Sequence, residues 1–362
     1  MVFASCKFPL LDKWKALTDK NPVLGFIDCV LTGYSQIIFN DNSFSGILLL
    51  IALFLCSVKV GISSLFCAVM AVCFARLIGT PVIMQRVGQA SLGSSMIGMG
   101  IAVLAFPGPD ITVMMLLVDV GCTIMTVLLT AALSSFLEKW QSPAFALPFC
   151  IVMAMMIPAV LTFSNSGSAP LVQPYVAAAA VAEGANWTFS EFVIAALNGF
   201  AEIIFQADTR SAIFIIVALL MASRVDAVMT VYITALSTLL AIWLGLPKGS
   251  IMIGVYGFNA IFTMLALFGR TFALSIRTFL YATFASLLTV FLYAGIGVLF
   301  APMGAPVGAL PFSLICVLSI VGRGWFSKLR FIPPVRWGVP ETIAKQLKAE
   351  AAEAAHQETT KV

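Results

Sequence analysis

The chain has 362 residues, 61% of them hydrophobic and only 10% charged, with a formal net charge of +4. A soluble globular surface needs about a quarter charged residues, which excludes a soluble protein. So small a positive excess, spread between apolar runs and the chain ends, makes nucleic acid a poor partner. What remains is a protein integral to the membrane, and its apolar runs approach the length of a spanning helix, about 20 residues.

Residues 1–22 carry Lys7, Lys13, Lys15 and Lys20 but lack the ordered basic, apolar and small-residue regions of a secretory signal, so the first membrane element is expected to be retained. A first membrane unit is expected over 23–163, with apolar runs near 43–58, 60–79, 92–107, 111–135 and 143–163. A linker over 164–188 follows, then a second unit over 189–323 with runs near 209–223, 226–246, 250–268, 274–300 and 307–322, and a charged tail over 324–362. The stretches near 23–39 and 189–205 are interrupted by Asp28, Gln36, Glu191 and Glu202. Such a stretch is expected to enter the membrane only part way, with its end buried in protein or lining a cavity.

The two units repeat each other. L-T-G-Y-S-Q-I-I-F-N-D-N at 31–42 is answered by L-N-G-F-A-E-I-I-F-Q-A-D at 197–208, so Gln36 and Glu202 stand 166 positions apart. Gly93 and Gly257 are 164 apart, and Pro143 and Pro306, each opening a P-x-x-A-L-P-F segment, are 163 apart. Three landmarks in one order indicate a duplication, which chance similarity of Leu-rich segments would not produce.

Lys and Arg are missing between Ser164 and Glu191 but present at both chain ends. The positive-inside rule then places both termini in the cytoplasm and the linker outside. Five spans per unit, an odd number, would insert the second copy upside down. The expected fold is therefore an all-α integral membrane protein of two inverted repeats, each with five transmembrane helices and one half-membrane re-entrant helix.

Inverted-repeat transporters bind solute between the repeats near the midplane, where Gln36 and Glu202 form the polar pair that the duplication brings face to face. A carboxylate there costs a few kcal/mol or more, which marks Glu202 as functional. Together they offer oxygens to a neutral solute rich in N–H donors. The lone histidine, His356, lies in the tail, and the eight cysteines include no C-x-x-C pair. No metal or other cofactor is implied, and an enzyme would lack both nucleophile and base. Asp110 reads as a loop cap and Asp119 as a buried, hydrogen-bonded acid.

L-T-G-Y-S-Q-I-I-F-N-D-N-S-F-S-G resembles the opening signature of each half of the urea transporters; V-Y-G-F-N-A is similar to their Y-G-F-N motif and P-A-F-A-L-P-F to their P-x-L-T-x-P-F segment. The resemblance runs from about Phe26 to Phe312. It implies a homotrimer in the cell membrane, the inner membrane of a bacterium, with membrane lipid around it and a pore in each protomer that passes urea by channel-like facilitated diffusion. It also implies that Gln36 and Glu202 bind urea N–H groups, while Phe39, Phe205 and Phe258 form flat slots.

The departures bear on the solute. Ala146 and Ala309 stand where the family has threonine, and Ser94 and Gly98 are read opposite Phe258 and Phe262. Either urea passes through a looser pore, or the solute is another small amide-like or amine-like molecule, with proton coupling open through Glu202.

Overall fold

The computed structural model describes residues 9–163 and 186–360; among these every regular element is helical, apart from isolated bridges at Phe268–Phe272 and Phe272–Phe331. The expected linker lies outside the described residues except for 186–188. The first half comprises α1 (Pro9–Lys20), α2 (Pro22–Ile37), α3 (Ser43–Cys56), α4 (Val58–Leu77), α5 (Val82–Arg86), α6 (Gln89–Gly100), α7 (Val113–Leu137) and α8 (Leu147–Leu161). The second comprises α9 (Phe189–Ala201), α10 (Thr209–Ala222), α11 (Arg224–Trp243), α12 (Lys248–Met252), α13 (Val255–Leu267), α14 (Ile276–Phe300) and α15 (Leu310–Val321), followed by α16 (Pro340–Thr360).

The repetition holds element by element. The first residues of α3, α4, α5 and α6 precede those of α10, α11, α12 and α13 by 166 positions in every case, and those of α7 and α8 precede those of α14 and α15 by 163. Local chemistry repeats as well. Ser57 and Ser223, each at φ −154°, are the single residues between α3 and α4 and between α10 and α11, and each hydroxyl accepts a hydrogen bond from the backbone N–H three residues on. A serine there closes one helix and caps the next.

Ten apolar runs are expected, several of them, notably 43–58 and 209–223, shorter than a full span. Among the described residues four helices are long and apolar enough to cross alone: Val58–Leu77, Val113–Trp140, Arg224–Trp243 and Ile276–Met303, counting the short turns that extend α7 and α14. Helices α3 and α10 have 14 residues each, α13 has 13 and α15 has 12. At 1.5 Å per residue a 14-residue helix rises about 21 Å, short of about 30 Å of hydrocarbon. The apolar run at 250–268 hid a break at Gly254, where φ is 87°, so α12 and α13 are separate helices. Phe189–Ile204 and Thr209–Ala222 meet at a 73° bend, the geometry of a broken span or a re-entrant turn.

Asp28 does not face lipid. It accepts hydrogen bonds from Trp14 Nε1 at 2.6 Å, Lys15 Nζ at 2.9 Å and Ser43 Oγ at 2.5 Å, tying α1 to the start of α2 and α3. The halves are joined through α3 and α10, which pack together, with Ser45 Oγ donating to Ala218 O at 3.3 Å. Asp110 lies in an exposed loop, and Thr112 caps α7 instead. Asp119 is buried and accepts from Ser63 Oγ at 2.7 Å.

Candidate functional site

Helix α2 and the α9 segment end at the same kind of turn. Phe39 and Phe205 have left-handed backbones, φ 59° and 58°, and each turn is closed by a bond back to the helix, Asn40 N to Ser35 O at 3.0 Å and Gln206 N to Ala201 O at 3.1 Å. Left-handed backbone at a bulky residue is strained by about 1–3 kcal/mol and persists where the surroundings enforce it. The enforcement comes from the other half. The Phe39 ring stands 5.9 Å from Phe312 on α15, and the Phe205 ring 5.9 Å from Phe149 on α8.

Phe39 has a further restraint. Arg270, 2% exposed, gives both terminal nitrogens to Asp226, at 2.8 and 2.6 Å, and also donates to Leu265 O at 2.9 Å and Phe39 O at 3.2 Å. A buried guanidinium is stable only when its charge and its donors are matched, and here one matched pair fixes the turn that carries Phe39.

A cavity of about 560 Å³ opens on the first-half side. Gln36, Phe39, Ala146 and Phe262 line it, as do the apolar Leu92, Met96, Phe149 and Phe312 and the polar Thr130, Ser134, Glu138, Gln141 and Ser142. Phe262 packs 5.2 Å from Phe312 and 6.4 Å from Phe39, so three rings from both halves cluster on its wall. Such rings present apolar faces to a flat solute, while the polar groups before them can exchange for its hydration.

The remaining expected site residues do not surround this cavity. Glu202, Phe205, Phe258 and Ala309 are not among the residues that line this cavity. Glu202 lies in the short turn Glu202–Ile204, near Tyr293. Around it the second half is aromatic, with Tyr256 at 5.3 Å and Phe258 at 6.4 Å from the Tyr293 ring. Tyr293 corresponds to Thr130 by the 163-residue offset, so the two ends of the interior differ in chemistry.

Ser94 and Gly98 do not line the cavity. With α6 and α13 in register at 166, the partners of Phe258 and Phe262 are Leu92 and Met96, and both line the cavity. Ser94 is fully buried and its hydroxyl donates to Ala90 O at 3.2 Å. Gly98 lies against α4, where a Cβ would sit 2.5 Å from Ser63 O. The expected pairing matched Gly93 with Gly257 by identity, whereas Ser91 holds the corresponding place. Gly199 and Gly257 make a close helix contact, and Gly33 meets Ser91 in its stead. A constant helix register would have revealed Leu92 and Met96.

Ala146 and Ala309 occupy equivalent places, the N-caps of α8 and α15, at φ −91° and −90°, and neither makes a side-chain capping bond. Ala146 lines the cavity and Ala309 is 1% exposed. Asn259 partly replaces the missing cap in the second half: its Oδ1 accepts from Phe312 N at 3.1 Å, and its Nδ2 donates to Gly308 O at 3.1 Å. Its first-half counterpart is Gly93, on the cavity wall.

Residues 27–324 match the family model described as Urea transporter. Urea transporter 1 of Ovis aries is 26% identical over 311 residues, covering 84% of this chain and 79% of its own. Urea transporter 1 of Capra hircus and of Mus musculus match with the same identity and coverage. With a duplicated set of helices, paired Ile-Ile-Phe turns and a family match across most of its length, the chain belongs to the urea transporter family.

Proposed function

We propose that the protein passes urea across the cell membrane by channel-like facilitated diffusion, with one pore in each protomer of a homotrimer. The observation that carries this is the cavity lined by Gln36 together with the rings of Phe39, Phe262 and Phe312, inside a family match spanning residues 27–324. Gln36 and Glu202 act at two successive stations on either side of the ring cluster, accepting hydrogen bonds from urea as it gives up water. Phe39 and Phe205 supply the slot walls, with Leu92 and Phe258 as their partners, and Ala146 and Ala309 lie between them.

In this reading the second half is inserted upside down relative to the first, and both termini face the cytoplasm of a bacterial cell. The few cations that the orientation leaves outside are held locally: Lys59 donates to Phe106 O and Gly108 O, Arg210 pairs with Asp208 at 2.6 Å, and Lys248 pairs with Glu191 at 2.6 Å. Stopped-flow swelling of proteoliposomes in urea tests the proposal. Flux well above that of protein-free liposomes, and indifferent to an imposed pH gradient, is expected. Flux that requires the gradient would favour a proton-coupled carrier working through Glu202.

A further inference from the structure

On the path, the halves differ sharply at Phe145. Its backbone is left-handed, φ 48°, and its counterpart 163 positions on is Gly308, φ 53°. Glycine takes that conformation without strain and phenylalanine does not, so the first half keeps a ring where the second has no side chain. The Phe145 ring lies 6.3 Å from Phe39, 5.4 Å from Phe312 and 6.1 Å from Trp337, and Phe145 lines the cavity together with Leu92. Leu92 stands in the register position of Phe258, so the first half is one ring short there.

Trp337 belongs to a segment beyond the family match, which stops at residue 324. Two anchors hold this strap. At one end Ala273 N donates to Arg330 O at 2.9 Å and Ile332 N to Thr271 O at 2.8 Å, next to Arg270. At the other end Glu341 accepts from Ser223 Oγ at 2.8 Å and from Val225 N at 3.0 Å, at the start of α11. Between them Trp337, 8% exposed, donates its indole N–H to Ile332 O at 3.0 Å, and the strap forms part of the cavity wall.

We infer that Phe145, braced by Trp337, is a specificity-determining ring of this cavity. It supplies, from the segment before α8, the flat wall that Leu92 does not, so that planar unsubstituted amides pass and N-alkylated ones are held back. The inference rests on the urea-transport reading above. Trp337 acts through Phe145 as a positioning residue.

The test compares urea and 1,3-dimethylurea fluxes in proteoliposomes. Phe145→Gly, which installs the residue that the second half already uses in this backbone conformation, is expected to lower the urea-to-dimethylurea flux ratio about tenfold, the low end of what a methyl-sized difference discriminates in an apolar slot. Trp337→Ala is expected to move the ratio the same way by a smaller factor, and it carries the test should Phe145→Gly not assemble. Adding Leu92→Phe to Phe145→Gly is expected to restore the ratio. Equal changes in both fluxes, leaving the ratio at its wild-type value in the assembled variants, would overturn the inference and reduce Phe145 to a packing residue. Wild-type urea flux no higher than in protein-free liposomes would instead bring down the transport reading.

Discussion

Phe39 and Phe205, 166 positions apart, adopt the same left-handed backbone, and each is met at 5.9 Å by a phenylalanine of the opposite half. Each turn is closed by a hydrogen bond to its own helix and braced by a ring of the other half, a contact worth about 0.5–1.5 kcal/mol beyond burial.

The Arg270–Asp226 pair should therefore matter to both stability and flux. Arg270→Met leaves a buried carboxylate unpaired and should destabilise by about 3–5 kcal/mol, while the double variant with Asp226→Leu should recover much of that. Thermal unfolding in detergent reads the difference. Equal melting temperatures for the single and double variants would show that the buried charge is not what the pair neutralises.

Glu202→Ala should cut urea flux about ten- to a hundredfold, the value of a charge-assisted hydrogen bond of roughly 1.5–3 kcal/mol, without preventing assembly. Unchanged flux in a well-assembled variant would return Glu202 to a packing role.

Ala146→Thr and Ala309→Thr each place a hydroxyl at an uncapped helix start, where a capping bond is worth about 1 kcal/mol. If the hydroxyls also serve the solute, the pair should shift the flux ratio toward urea over acetamide. Thr adds bulk at Ala309, a tightly packed site, so Val substitutions are the shape control. Identical flux ratios in the Thr and Val proteins would separate capping from selectivity and leave the solute indifferent to these positions.

Topology is open to thiol labelling in a background lacking the exposed Cys73. Asn186→Cys should react with an impermeant reagent from outside in intact cells, and Glu353→Cys only after lysis. The reverse pattern would turn the proposed orientation over.

The sequence displayed the duplication because its signals are local: a polar residue before Ile-Ile-Phe, and a proline pair opening α8 and α15. It hid what depends on register or on distant partners. Gly93 matched Gly257 by letter, yet Ser91, packed against Gly33, holds the register place of Gly257, so identity pointed two positions along, to Ser94 in place of Leu92. Arg270 gave no local signal because its partner Asp226 is 44 residues away. Trp337 read as tail because a strap of Pro, Val and Trp has no periodicity, and only its bonds to Thr271 and Ala273 give it a place.

From Ser43 to the start of α6 the two copies have kept the same length residue for residue, and their lengths diverge in the connection before α7 and α14, from 12 residues after Gly100 to eight after Leu267. That stretch holds Arg270 in one copy and a π turn, Ile101–Ala105, in the other. Within that constant register the side chains differ, Leu92 against Phe258 and Met96 against Phe262. The tolerated length change marks the connection where the copies could become unequal, and the unequal version is the one that holds the partner's turn in place.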